Sequence, residues 1–251
     1  MIPKKIHYIR VWGKEMPEIV KKCVNSWKEK LPDYELCLWN ESSFDFSKNK
    51  FAKWAYEAKK WAFVSDYIRI WVLYNEWWIY LDTDVEVIKS LDWFLDCKWF
   101  WGFQQKDLMQ TWVIWCEKWN PFIWEVLKYY EEQEFDPNNL VSNPHILSSI
   151  AKEKFWFKWW KWDELVKFDD DVFLCYPRKY FCPVKYSQYK FNYKKLENDK
   201  DCYAIHYFMV TWSWKSKLRL CIESFFANIC RKLGIYEFME KLYLKVTKLI
   251  K

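Results

Sequence analysis

The chain has 251 residues, 52% hydrophobic and 29% charged, with a net charge of +6. This length fits one or two domains with a substantial core, and the composition excludes an intrinsically disordered chain. No run reaches about 18 uninterrupted apolar residues, so no membrane-spanning helix is expected.

The first segment, Met1 to Ile6, is too poor in apolar residues for an export signal, so a cytoplasmic location is expected. The nine cysteines are then expected to be reduced, and no Cys-x-x-Cys pair points to zinc or a disulfide framework. Ile6-His7-Tyr8-Ile9 reads as a first strand. Met16 to Lys30 has helical periodicity, with Ile19, Cys23 and Trp27 on one face, and ends before Pro32. Tyr34 to Trp39 reads as a second strand. Phe51 to Tyr74 reads as a long helical region broken near Val64-Ser65, where Ser65 caps the second part. Trp78-Ile79-Tyr80-Leu81 is a buried strand, and Phe122 to Glu132 a further helix. This alternation predicts an α/β layer fold, whose ligands bind beyond the carboxyl ends of strands.

The C-terminal segment reads as two amphipathic helices, about 216 to 233, stopped by Gly234, and about 235 to 250. From Lys215 to Lys251 there are nine basic and three acidic residues, so the rest of the chain is neutral. A nucleic-acid-binding domain would spread a basic stripe over its body, so no nucleic acid is expected as partner. Either the basic face lies on an anionic membrane, or the helices pack on the domain with a solvated Lys face. The domain division expected is 1–214 for the body and 215–251 for the tail.

The chemistry concentrates after the buried strand, at Asp82-Thr83-Asp84. Alternation along an extended chain would put both carboxylates on one side, a natural seat for a hard divalent cation. Upstream, Asp66 and Arg69 are three residues apart on a helix. They are either an intrahelical ion pair or a pair reaching a sugar hydroxyl and a phosphate, and spacing does not separate the two.

Several ordered blocks resemble the DXD-containing glycosyltransferases of family 32. They begin with Pro3-Lys4-Lys5-Ile6-His7-Tyr8, Ser26-Trp27, Pro32-Asp33-Tyr34-Glu35 and Trp39-Asn40. The most specific are Ala62-Phe63-Val64-Ser65-Asp66-Tyr67-x-Arg69 and Ile79 to Val87, followed by Phe181-Cys182-Pro183, Ala204-Ile205-His206 and Ser213-Trp214. The resemblance implies a GT-A type fold, a Rossmann-like mixed sheet flanked by helices. It implies a retaining, Mn²⁺- or Mg²⁺-dependent transfer from a nucleotide-sugar donor to a glycan or lipid-linked acceptor. Bacterial relatives build capsule, lipopolysaccharide or other surface glycans, which would suit a peripheral position on the inner face of the membrane. It assigns Asp66 and Arg69 to the donor sugar and phosphate region, Asp82 to the donor ribose or sugar, and Asp84 to the metal. Asp82 is also a candidate metal ligand, and His206 a candidate metal or phosphate contact. Ser213 and Trp214 match a loop that closes over the diphosphate. The family's second histidine is replaced by Tyr207, and the loop to Ser213 is lengthened.

There are 21 Trp and only 3 Gly, where average usage of about 7% gives roughly 18 Gly. The family has Gly-Gly before Ile-Tyr-Leu-Asp-Thr-Asp, and this chain has Trp77-Trp78. Trp12, Trp112, Trp115, Trp119 and Trp212 stand at similar places. Either these are genuine, or they are UGA codons that encode glycine and have been read as Trp. Two other functions compete with this one. A haloacid-dehalogenase-like phosphatase wants Thr or Val where Glu86 stands. A non-catalytic, membrane-associated carbohydrate-binding protein would not need intact Asp66, Arg69, Asp82 and Asp84.

Overall fold

The computed structural model describes residues 4–11, 13, 15–155, 163–168, 173–181, 183, 196, 198–209, 229 and 233–234. The chain divides into two compact units. One comprises Met1–Pro183 with Lys194–Tyr207, the other Val184–Tyr193 with Phe208–Lys251.

The first unit opens with strand β1 (Lys5–Ile9), helix α1 (Glu18–Lys30) and strand β2 (Glu35–Trp39). In α1 the buried Val20, Cys23, Val24 and Trp27 recur at the i, i+3, i+4, i+7 spacing of an amphipathic helix. The Leu31 amide closes on the Trp27 carbonyl at 2.8 Å, and Pro32 follows, which bars continuation. Helices α2 (Lys50–Glu57) and α3 (Trp61–Asn75) come next. The Asn49 side chain caps α2 by accepting from the Ala52 amide at 2.8 Å.

The helix break lies at residues 58–60, and this corrects the expected position at Val64-Ser65. Lys59 takes a left-handed φ of 55°, and the Lys60 amide turns back to the Ala55 carbonyl at 2.9 Å. Ser65 is inside α3 and its hydroxyl donates to the Ala62 carbonyl at 2.7 Å, so it caps nothing. The apolar stretch Ala62-Phe63-Val64 favours continuing the helix across that point.

Among the described residues, the strands and α-helices that follow are β3 (Trp78–Leu81), β4 (Val85–Val87), β5 (Trp99–Gln105), β6 (Leu108–Met109), β7 (Val113–Cys116), α4 (Pro121–Glu132), α5 (Asn143–Lys154), β8 (Val166–Phe168), β9 (Phe173–Tyr176) and β10 (Ala204–His206). Asn120 caps α4 by accepting from the Phe122 and Ile123 amides, with Pro121 at the first helical position. Among the described residues the main sheet runs β2-β1-β3-β7-β5-β9-β8, with β6 paired to β5. β2, β1 and β3 are parallel, β7 is antiparallel to both neighbours, and β5 and β9 are parallel. This is a mixed sheet flanked by helices.

Both faces of the sheet are covered at its centre, while the edge strand β2 stays partly exposed. Ile9 joins a buried cluster with Val64, Tyr67, Ile68 and Leu73 of α3. Its strand neighbour Tyr8 points to the opposite face and meets Trp27 of α1 edge-on at 5.4 Å. Such two-sided burial makes β3 and β7 continuous apolar runs. Apart from the sheet, β4 and β10 form a short antiparallel ribbon in which His206 pairs with Val85.

Six described residues other than glycine have positive φ, and three are tryptophans: Trp77 at 58°, Trp78 at 94° and Trp119 at 59°. A left-handed conformation costs an L-residue with a Cβ roughly 1–2 kcal/mol. The Trp77-Trp78 pair sits at the tight entry to β3. Trp112 and Trp115 do not share this backbone and are buried. Trp12 and Trp212 lie outside the described residues.

Of the second unit, Phe208, Met209, Ile229, Leu233 and Gly234 are described. The Leu233 amide donates to the Ile229 carbonyl at 3.0 Å, and Gly234 has a φ of 70°, the backbone of a helix C-terminal stop. The expected tail helices and the boundary at 214–215 otherwise fall outside the described residues. Among the described residues no helix is long and apolar enough to cross a membrane.

Candidate active site and metal centre

The site is built at the carboxyl end of β3. The Asp82 amide donates to the Trp112 carbonyl at 3.0 Å, which extends the β3–β7 pairing by one residue. The chain then turns: the Val85 amide donates to the Asp82 carbonyl at 3.0 Å. This turn, rather than extended alternation, brings Asp84 back beside Asp82. Two elements far apart in sequence then meet. The Tyr207 amide donates to the Asp84 carbonyl at 3.0 Å, and β10 presents His206 with Nε2 3.2 Å from Asp84 Oδ1.

Asp82, Asp84 and His206 can each offer one ligand atom, all within 4.8 Å of one another. Two carboxylates and one imidazole are a donor set that fits a divalent cation such as Mn²⁺. The His206 ring stacks on Trp112 with centroids 4.4 Å apart and planes at 25°.

Behind Asp82 lies a buried polar chain. Arg69 donates from Nη2 to Asp82 Oδ1 at 2.8 Å, and the same nitrogen is 3.4 Å from Asp66 Oδ1. Arg69 Nη1 donates to Asn143 Oδ1 at 3.1 Å, and Asn143 Nδ2 donates to the Tyr130 hydroxyl at 2.8 Å. The guanidinium lies over the Tyr80 ring at 4.6 Å, and the Tyr80 hydroxyl donates to Asp82 Oδ1 at 2.6 Å. The Arg69 side chain is only 5% exposed.

Both alternatives left open for Asp66 and Arg69 therefore meet a third partner. The i,i+3 pair exists, but the shorter contact of Arg69 is to Asp82. Burial works against the Arg69 charge, yet Asp82, then Tyr80 and Asp66, more than offset it and hold its pKa above the usual value. Burial pushes the Asp66 carboxyl up to about 7, Arg69 opposes that rise, and the Asp82 charge adds to it. In effect Arg69 fixes Asp82 in place and compensates two carboxylates.

Ser213 and Trp214 lie outside the described residues. The sequence does not mark Tyr80, Asn143 or Tyr130 as site residues, and it marks Trp112 only as a Trp at a glycine-like position. Tyr80 was within reach, since it precedes Asp82 by two in a strand and shares its face. Asn143 carries no local signal: it is brought in at the start of α5, 74 residues from Arg69.

Residues 17–101, about a third of the chain, match the family model described as glycosyltransferase sugar-binding region containing DXD motif. No curated protein matches the chain in sequence. Among solved structures, the chain is similar to the PaToxG glycosyltransferase, with 20% identity, 61% of this chain and 69% of that one covered, and a TM-score of 0.47. It is also similar to a glycosyltransferase involved in glycosylation of the major capsid of PBCV-1, with 14% identity, coverage of 81% and 93%, and a TM-score of 0.45. At such scores the functional reading rests on the matched region and the site geometry. Together these make the chain an enzyme that transfers sugars.

Proposed function

We propose that the chain is a divalent-metal-dependent, retaining glycosyltransferase of the family 32 kind. It moves a sugar from a nucleotide-sugar donor to a glycan or lipid-linked acceptor in surface polysaccharide synthesis. The observation that carries this reading is the convergence within 4.8 Å of Asp82 and Asp84, both in the region similar to the DXD sugar-binding type, with His206 from well beyond that region. A cytoplasmic site of action, with the basic segment 215–251 against an anionic inner membrane face, completes the proposal.

Asp84 and His206, with Asp82, would hold the cation, which supplies positive charge to the departing diphosphate. Arg69 and Tyr80 hold one oxygen of Asp82 and so orient the carboxylate towards the ligand side of the strand. In the transfer, the bond from the anomeric carbon to the diphosphate oxygen breaks. The acceptor hydroxyl oxygen bonds to the same face, and its proton passes to the departing diphosphate. Arg69 also adds fixed positive charge behind the site, in place before the reaction begins.

The test is thermal stabilisation by a panel of UDP- and GDP-sugars, with and without Mn²⁺. One nucleotide sugar should raise the Tm only with metal, and Asp84→Asn should abolish the rise. A cooperative melt unmoved by every donor would overturn the proposal.

A further inference from the structure

We infer that Tyr207 is a positioning residue for the cation site, acting through Glu86 and Lys22. The inference rests on the reading of Asp82, Asp84 and His206 as cation ligands. Asp84 and His206 sit at one end of the β4–β10 ribbon, which has three residues in each strand. A ribbon this short is not stable by itself, so contacts outside it must hold His206 against Asp84.

α1 holds the β4 side. Trp27 Nε1 donates to the Val85 carbonyl at 2.7 Å, and the Val87 amide donates to Ser26 Oγ at 2.9 Å. The β10 side is held where the chain leaves the ribbon. The Tyr207 amide bonds the Asp84 carbonyl, and its hydroxyl donates to Glu86 Oε2. Glu86 is mostly buried, and Lys22 of α1 compensates its charge, with Nζ 2.7 Å from Oε2. Lys22 also donates to the Tyr207 oxygen at 2.9 Å and lies 5.3 Å over its ring. α1, β4 and the exit of β10 are thus joined at one carboxylate, two residues from Asp84. Outer partners that orient metal ligands commonly change affinity by about 10–100-fold when removed.

The test is Mn²⁺ binding to the full chain, read by electron paramagnetic resonance, with Tm followed in parallel. Tyr207→Phe keeps the ring and the amide and removes only the hydroxyl. It should weaken Mn²⁺ about tenfold while the Tm moves by only a few degrees. Glu86→Gln keeps an acceptor for Tyr207 and should stay within about threefold of the wild type, whereas Glu86→Leu should match Tyr207→Phe. If Tyr207→Phe does not fold, the Gln and Leu variants decide. Equal weakening by Gln and Leu would show that charge, not the Tyr207 bond, sets affinity, and would overturn the inference. Unchanged binding in Tyr207→Phe would also overturn it and leave the cation site standing. A wild type that binds no Mn²⁺ would remove both.

Discussion

Arg69 in α3 and Asp82 at the end of β3 are joined at 2.8 Å, so a helix buried against the sheet fixes the first carboxylate of the Asp-x-Asp turn. Removing the guanidinium strands Asp82 and Asp66 together. Arg69→Met should therefore cost about 3 kcal/mol of stability, read by urea unfolding. Arg69→Lys keeps the charge but cannot reach Asp82, Asp66 and Asn143 at once, so it should fold and lose most sugar transfer. A fully active Lys variant would mean that the fork geometry is not needed.

Asn143 and Tyr130, at the far end of that chain, are each only 1% exposed. Asn143→Leu leaves Arg69 Nη1 without its acceptor and Tyr130 without a donor. The expected loss is about 1–3 kcal/mol, seen as a lower urea midpoint with an unchanged slope. A midpoint equal to the wild type would show that water or another group replaces the amide.

His7 gives the fold a pH dependence. It is 3% exposed, and Nδ1 accepts from Trp39 Nε1 at 2.9 Å, which requires the neutral ring. Burial, with the nearby Lys5, lowers its pKa from 6.5 to about 4. Between these values the unfolded chain binds the proton and the native one does not, so stability falls as pH drops from 6.5 to 4. The full effect is about 3 kcal/mol, from roughly 1.36 kcal/mol per unit. Asp66, raised to about 7, acts in the opposite sense: its contribution is present in acid and lost as pH rises towards 7. The difference between wild type and His7→Gln therefore isolates the first effect. That difference should shrink steadily below pH 6.5, and a constant difference would refute the assignment.

The tryptophans divide by backbone. Trp119 is 67% exposed at a φ of 59°, so Trp119→Gly should stabilise by about 1 kcal/mol, seen as a raised Tm. Trp77→Gly, with a φ of 58°, should act in the same direction. Trp115 is 1% exposed with Nε1 bonded to the Cys97 carbonyl at 2.9 Å, so Trp115→Gly in this chain should cost about 3–5 kcal/mol. Codons settle the origin: UGA at positions 77, 78 and 119 accords with glycine positions read as Trp, and UGG there removes the idea.

The sequence alone determined the elements whose signals are local. α1 has its apolar spacing and Pro32, β3 has four apolar residues before Asp82, and the Asp-x-Asp itself is contiguous. The surplus of Trp over Gly was also visible there, but only the backbone separated Trp77, Trp78 and Trp119 from Trp112 and Trp115. Tertiary structure decided the rest, for physical reasons. β5 and β7 are buried on both faces, so they show no alternation to read. The helix break at residues 58–60 depends on a left-handed Lys59 that no residue preference announces. Spacing allowed Arg69 two roles, and only the packing of α3 on the sheet turned it to Asp82. His206 reaches Asp84 across 122 residues of chain, because an antiparallel ribbon, not a motif, brings them together.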